Sequence, residues 1–279
     1  MKGPGTLAIT LREMLKSLLR QEVRKTIYLG DHEALTSLYT GHKIYVDTRD
    51  VGIASHLMWE GRWEAHIEAC LVPYARPGMK ALDIGANFGF YTLLLAQAVG
   101  PAGAVHAFEA NPGIVRKLRK SVAVNGLSAW THVHALALSN GVGEAAFSFD
   151  PTFSGGGAMG ANSGADYETI KVPTAPLDSI LPPDLLPDLV KMDVEGAEAL
   201  VLEGGRRVFD SPRLSRVVSE FYPEAIARTM PPRAFLDHFL SRGFEIRLIA
   251  ADGPRVADLD QIASGEIAPM VYLLMTRNV

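Results

Sequence analysis

Residues 82–89 read LDIGANFG, and this stretch decides the fold. A short apolar run at 80–84 closes on Asp83, and Gly85, Asn87 and Gly89 follow before helical spacing begins at Phe90. Strand, glycine turn and helix in that order mark the carboxyl edge of a sheet, where open α/β folds bind their ligands. Glycines there let a ligand approach backbone N–H groups, and the helix start that follows favours negative charge.

Outward from this loop, short apolar runs alternate with helical segments. Strands are predicted at 80–84, 104–108, 132–138, 189–192, 216–221, 244–249 and 270–275. Helices are predicted at 90–98, 112–124, after Gly196 and at 232–241. Such alternation points to βαβ units and a mainly parallel, doubly wound sheet. Pro112 suits a first helical turn, and Gly243 a helix end. The domain therefore spans 77–279, with 1–76 as a helical appendage and cap. In that appendage, Thr10 and Glu13 form a capping-box pattern before Leu11, Leu15, Leu18 and Leu19, which predicts a helix over 10–26. Its other side carries Arg12, Lys16, Arg20, Arg24 and Lys25, a set that suits a solvated face better than an acidic membrane or partner. The glycine-rich stretch 153–166 lacks core-forming residues, and a mobile cover over the site or surface disorder is expected there.

Composition limits the function. The 279 residues are 48% hydrophobic and 21% charged, which excludes a disordered or fibrous chain. A net charge of -4 and a pI near 6.1 argue against nucleic acid as partner and for a small-molecule or glycan substrate. Cys70 stands alone, so no internal disulfide or cysteine-based metal site can form. No apolar run approaches the roughly 20 residues needed to cross a bilayer, and no secretory leader is evident, so a cytoplasmic location is expected.

The next apolar run ends on Glu109, about 20 residues past the last glycine of the loop, where a carboxylate can accept hydrogen bonds from both ribose hydroxyls of a nucleoside. A nicotinamide dinucleotide would use the same carboxylate, but its pyrophosphate needs the closer spacing G-x-G-x-x-G. Asn87 stands where the second glycine of that pattern belongs. S-adenosylmethionine has no pyrophosphate, and the spacing favours it while leaving a dinucleotide-dependent oxidoreductase as the alternative.

The chain resembles the FkbM-type methyltransferases in PGMKALDIGANFGFYT (77–92), HAFEANP (106–112), LDSIL (177–181), LVKMDVEGAEALVLEGG (189–205) and SEF (219–221). The resemblance runs from about Arg62 to Ile249, and KMDVEGAE is its most specific part. It implies a class I methyltransferase fold of seven strands with an antiparallel last strand, S-adenosylmethionine as cofactor, and methylation of a hydroxyl on a sugar or secondary metabolite. By position, Asp83, Gly85, Asn87, Gly89 and Glu109 match its cofactor motifs, and Glu64 matches an acidic position just before the domain. Ser121 departs from it, standing where asparagine is common.

Methyl transfer to a neutral hydroxyl is helped by a base within hydrogen-bond reach. Asp193 and Glu195 are the candidates, because they follow the strand at 189–192 beside the glycine loop. Each has a plain structural alternative: a helix N-cap for Asp193, and a charge near a helix start for Glu195 and Glu198. Glu220, closing the strand at 216–221, is a candidate for substrate binding or an ion pair. Tyr91 and Tyr222 suit a cation–aromatic contact or ordinary packing. His132 and His134 share one side of a strand, but without a third ligand no metal site is expected. A Gly-x-Ser-x-Gly elbow is absent, which removes a serine hydrolase. A non-catalytic nucleoside-binding module is the remaining rival.

Overall fold

The structure, a computed structural model, describes residues 25–160 and 166–278. The predicted helix over 10–26 lies almost wholly outside these residues. The described part of the expected helical appendage instead opens with three strands, β1 (Ile27–Gly30), β2 (Glu33–Ser37) and β3 (Lys43–Asp47), paired as an antiparallel meander. Two short helices, Ile53–Trp59 and Ala65–Leu71, come after them. The turn between β1 and β2 is Asp31–His32, both with positive φ (46° and 59°). Hairpin turns of this kind usually announce themselves as Asn-Gly or Asp-Gly, so the sequence carries no clear signal.

Alternate residues of the meander, Ala34 and Thr36 in β2 and Ile44 and Val46 in β3, are fully buried. The meander is tied to the helix Pro112–Val124. Tyr45 N donates to Ser121 Oγ at 2.9 Å, and Lys117 Nζ pairs with Asp47 at 3.1 Å. Ser121, completely buried, is thus the joint between the two layers.

Along the chain follow β4 (Lys80–Ile84), β5 (Ala104–Glu109), β6 (Thr131–Ala135), β7 (Ala137–Leu138), β8 (Gly143–Asp150), β9 (Phe153–Met159) and β10 (Glu168–Ala175). The set closes with β11 (Leu189–Met192), β12 (Arg216–Phe221), β13 (Glu245–Ala250), β14 (Gly253–Arg255) and β15 (Val271–Thr276). The central sheet has the order β14-β13-β15-β12-β11-β4-β5-β6. Strands β6, β5, β4, β11 and β12 are parallel, and β15 runs antiparallel to both β12 and β13. This is the expected seven-stranded class I arrangement, with the short β14 added at one edge through a hairpin with β13. The chain leaves β4 in one direction and returns as β11 on its other side. That reversal opens the ligand crevice of a doubly wound sheet at their carboxyl ends.

Helix Phe90–Val99 is buried on nearly every side, which explains a sequence that is apolar all round rather than striped. It lies in the core layer that includes Ile67, Leu71, Leu93 and Val105, while Phe209, Phe221, Phe235 and Phe239 belong to a second core layer.

The run at 132–138 proves to be two strands in two sheets. β6 completes one end of the central sheet, and β7 starts a second sheet of order β7-β10-β8-β9. Within the glycine-rich stretch, residues 153–159 form β9, paired antiparallel with β8 through Phe147↔Met159 and Asp150↔Phe153, while 161–165 lie outside the described residues. A Cβ on Gly157 would lie 2.7 Å from the Phe147 ring, so the glycine is what lets the strand pass under that side chain. Glycine there signals close approach, not disorder.

Candidate active site

The glycine loop is fastened to the neighbouring strand. Gly85 N and Ala86 N both donate to Phe108 O, at 3.0 and 2.9 Å. One residue on, Asn87 N donates to Glu109 Oε2 at 2.9 Å, and Asn111 N donates to Glu109 Oε1 at 2.8 Å. Asn111 in turn caps the helix Pro112–Val124 by accepting from Gly113 N and Ile114 N. Burial pushes the Glu109 carboxyl up, against the pull of the two backbone amides. Each carboxylate oxygen can accept two hydrogen bonds. Glu109 therefore keeps one acceptor position per oxygen, and it lines a cavity together with Gly85 and Asn87.

Asn87 does more than block a pyrophosphate. Its Nδ2 donates to Ser154 O at 3.1 Å, and Ser154 N donates to Asp50 Oδ2 at 2.8 Å. The loop is thereby joined to β9, which with β8 supplies a wall of Phe147, Phe149, Gly155, Gly157 and Met159. Gly155, Gly157 and Met159 belong to the stretch expected as a cover over the site, whereas sequence reasoning misses Phe147 and Phe149. Their one signal is the two-residue spacing of Phe147 and Phe149, too short to separate from surface patterning.

Beneath the loop, Asp83 is wholly buried and accepts from Thr92 Oγ1 at 2.5 Å. Neither Asp83 nor Gly89 faces the cavity; they support the loop from below and behind. Lys191, the first residue of KMDVEGAE, is the buried cation of the site, a role that its spacing does not reveal. Its Nζ donates to Gly85 O at 2.7 Å and sits 3.8 Å from Asp83 and 3.5 Å from Asp193. Burial would strip its proton, yet Asp193 and Asp83 outweigh burial and hold its pKa above the ordinary lysine value.

Beyond β11 the chain turns through Asp193 and Glu195, the latter at φ 54°. Glu198 shapes that turn: its buried carboxylate accepts from Val194 N at 3.0 Å and Gly196 N at 3.4 Å. The cap of the following helix is Ala197, so Asp193 is not an N-cap. Asp193 Oδ2 accepts instead from Tyr272 Oη at 3.1 Å. Glu195 makes no hydrogen bond or ion pair among the described residues and lines the cavity beside Asp193. Glu220 closes β12 directly opposite Tyr272 on β15. It is 2% exposed, is not among the residues lining the cavity, and its Oε2 has no hydrogen-bond partner among the described residues. Burial first, then Asp193 and neighbouring glutamates, push the Glu195 and Glu220 carboxyls well up. Glu64 stands at the start of helix Ala65–Leu71, within 3.4 Å of Tyr91 Oη. Burial, followed by Asp193, raises its carboxyl to about 7.

The remaining candidates separate. Tyr91 is buried and lines the cavity, with its ring centroid 5.7 Å from Lys191 Nζ, while Tyr222 borders a different hollow. His132 and His134 do meet a third histidine, His106 on β5, but His106 Nδ1 and His134 Nε2 hydrogen-bond to each other at 3.0 Å. Those nitrogens are satisfied without an ion. Cys70 is buried and unpaired by a disulfide.

A sequence profile of the methyltransferase FkbM domain matches residues 83–246, more than half of the chain. The chain belongs to the FkbM methyltransferase family. The match takes in the glycine loop, Glu109, Lys191, Asp193, Glu195 and Glu220, and leaves Glu64 and Tyr272 outside it. The family depends on S-adenosylmethionine, which replaces the dinucleotide alternative. Among solved structures, this FkbM-family chain is similar to an FkbM methyltransferase from Methylobacillus flagellatus, at 16% identity over 75% of this chain and 51% of that one (TM-score 0.46). It is also similar to precorrin-6y C5,15-methyltransferase from Geobacter metallireducens, at 12% identity over 80% and 91% (TM-score 0.44). A third is Aeropyrum pernix fibrillarin with bound S-adenosyl-L-methionine, at 13% identity over 91% and 99% (TM-score 0.43). The chain spans about half the length of the first of these, 51%. No curated protein sequence matches it. No helix among the described residues is long and apolar enough to cross a membrane.

Proposed function

We propose that this FkbM-family chain transfers the methyl group of S-adenosylmethionine to a hydroxyl oxygen of a small-molecule or glycan acceptor. The observation that carries the proposal is a single cavity with two chemical ends. One end has the glycine loop and Glu109, and the other has Asp193 and Glu195. The donor set suits an adenosine. Glu109 keeps an acceptor position for each of two ribose hydroxyls, and Phe108, Phe147 and Phe149 offer apolar surface for a base.

When bound, the cofactor supplies an electrophilic methyl group on a sulfonium, which leaves as a neutral thioether. The chain's own residues must align the acceptor and take its proton. Glu195, free of fixed partners, accepts the proton as the oxygen–carbon bond forms and the carbon–sulfur bond breaks. Asp193, clamped by Tyr272 and Lys191, positions the acceptor. Tyr91, its hydroxyl held by Glu64, lines the same cavity and offers its ring face to positive charge.

The direct test is transfer of labelled methyl from S-adenosylmethionine to a panel of glycans and hydroxylated metabolites, with the product bond assigned by NMR. An O-methyl product is expected; methylation only at nitrogen or carbon would overturn the oxygen assignment. A second measurement addresses the cofactor end. Glu109→Ala should weaken S-adenosylmethionine binding by about 100-fold or more, because two charge-assisted hydrogen bonds of about 1.5–3 kcal/mol each are lost. Calorimetry giving a Kd within about threefold of the parent would remove Glu109 from the cofactor site.

A further inference from the structure

From sequence alone no metal site is evident, because the residues concerned sit at the ends of two different strands. In the fold, Asp193, Glu195 and Glu220 each bring a carboxylate oxygen to within 4.8 Å of the other two. They are the one group of three or more histidine, cysteine, aspartate or glutamate side chains with that geometry among the described residues.

An acidic cluster alone would mean little. The second observation is Glu220 Oε2, a carboxylate oxygen shut away from solvent and given no donor by the protein. A buried acceptor left unmatched is expensive, and in native structures an ordered water or an ion commonly satisfies it. Nor can the existing contacts account for the cluster. Both polar contacts of Asp193 fall on Oδ2, which leaves its other oxygen uncommitted. Glu195 has no partner among the described residues. Lys191 is the cation nearest Asp193, and it is shared with buried Asp83 and spent on the Gly85 carbonyl.

We propose that Asp193, Glu195 and Glu220 bind a hard divalent cation of the magnesium or manganese class in the cavity wall, with acceptor hydroxyl oxygens completing its coordination. The inference rests on the reading of this cavity as a site for methyl transfer to oxygen. Three carboxylate oxygens and no sulfur or imidazole select an oxygen-loving ion. Around magnesium, opposite ligand oxygens are about 4.2 Å apart and adjacent ones about 3 Å, so three oxygens within 4.8 Å of one another would close in on the ion by side-chain rotation. Asp193 and Glu195 line the cavity, so the open positions would face the acceptor. An ion there would draw adjacent hydroxyls, as in a vicinal diol, and lower the pKa of the one that reacts. Each carboxylate donates one oxygen, and the second oxygen of Glu195 remains to take the proton.

Manganese(II) serves as the probe, added to chelator-treated protein without cofactor or acceptor, with the free ion followed by its electron paramagnetic resonance signal. One saturable site that magnesium displaces is expected, with affinity at least tenfold weaker in Glu220→Gln and in Glu195→Gln. Circular dichroism and thermal melts establish that each variant is folded; if Glu220→Gln is not, Glu195→Gln decides. No binding at millimolar manganese, or unchanged affinity in a folded variant, overturns the site. Calorimetry with S-adenosylmethionine on the same chelated protein separates the two claims. Ion binding without cofactor binding would sink the methyl-transfer reading, and cofactor binding without ion binding would sink the metal site alone.

Discussion

Gly85→Ala is expected to unseat the junction between β4 and β11 and to lower the melting temperature by about 10 °C or more. A Cβ at residue 85 would stand 1.7 Å from the Asp193 carbonyl oxygen and 2.9 Å from its carbonyl carbon. Those are backbone atoms and cannot swing aside. Gly85 also holds φ at +76°, a region that side chains disfavour. Moving Asp193 away would break its N–H bond to Ile84 O at 3.1 Å and disturb the pairing of the two strands. A loss above about 4 kcal/mol belongs to overpacking combined with backbone strain. For a domain of this size each kcal/mol shifts the melting point by about 2–4 °C. Gly30→Ala is the control, because Gly30 has φ +95° but nothing within 4 Å of its would-be Cβ. Strain alone, about 1–2 kcal/mol, should appear there. Two variants melting within about 2 °C of each other in circular dichroism would show that the contact with Asp193 is not decisive.

The second large effect concerns catalysis. Glu195→Gln should lower kcat by about 10²–10⁴, the usual contribution of a positioned base, with S-adenosylmethionine affinity nearly unchanged. The side chain touches no part of the glycine loop, so its loss should not reach the cofactor. Asp193 behaves differently, although sequence reasoning pairs it with Glu195 as a candidate base. Lys191 links Asp193 to the Gly85 carbonyl, so Asp193→Asn should weaken cofactor binding as well as turnover. Steady-state kinetics beside calorimetry tests the division. A kcat for Glu195→Gln within about threefold of the parent would exclude it as the base.

Much of this protein is legible in its residues wherever the information is local. The strands 80–84, 189–192 and 216–221 and the helix 112–124 have the predicted limits, because a continuous apolar run between turn residues is complete within its own segment. The glycine loop and Glu109 are equally plain, since a strand-turn-helix and the carboxylate after it are fixed by spacing along one βαβ unit. Elsewhere, short range misleads. The Asp31–His32 turn lacks its usual glycine, and the glycines of 153–159 read as looseness when they clear room for Phe147 and Phe153.

The carboxylate cluster belongs to tertiary structure. Glu220 faces Tyr272 only because β15 inserts antiparallel beside β12, and Lys191 reaches Gly85 and Asp83 only because β11 docks against β4. The sequence alone determined an α/β domain of the FkbM methyltransferase family and marked residues 82–109 as its candidate nucleoside site. Strand order alone decided which carboxylates share a cavity wall, because it sets the distance between residues far apart in the chain and no local pattern encodes it.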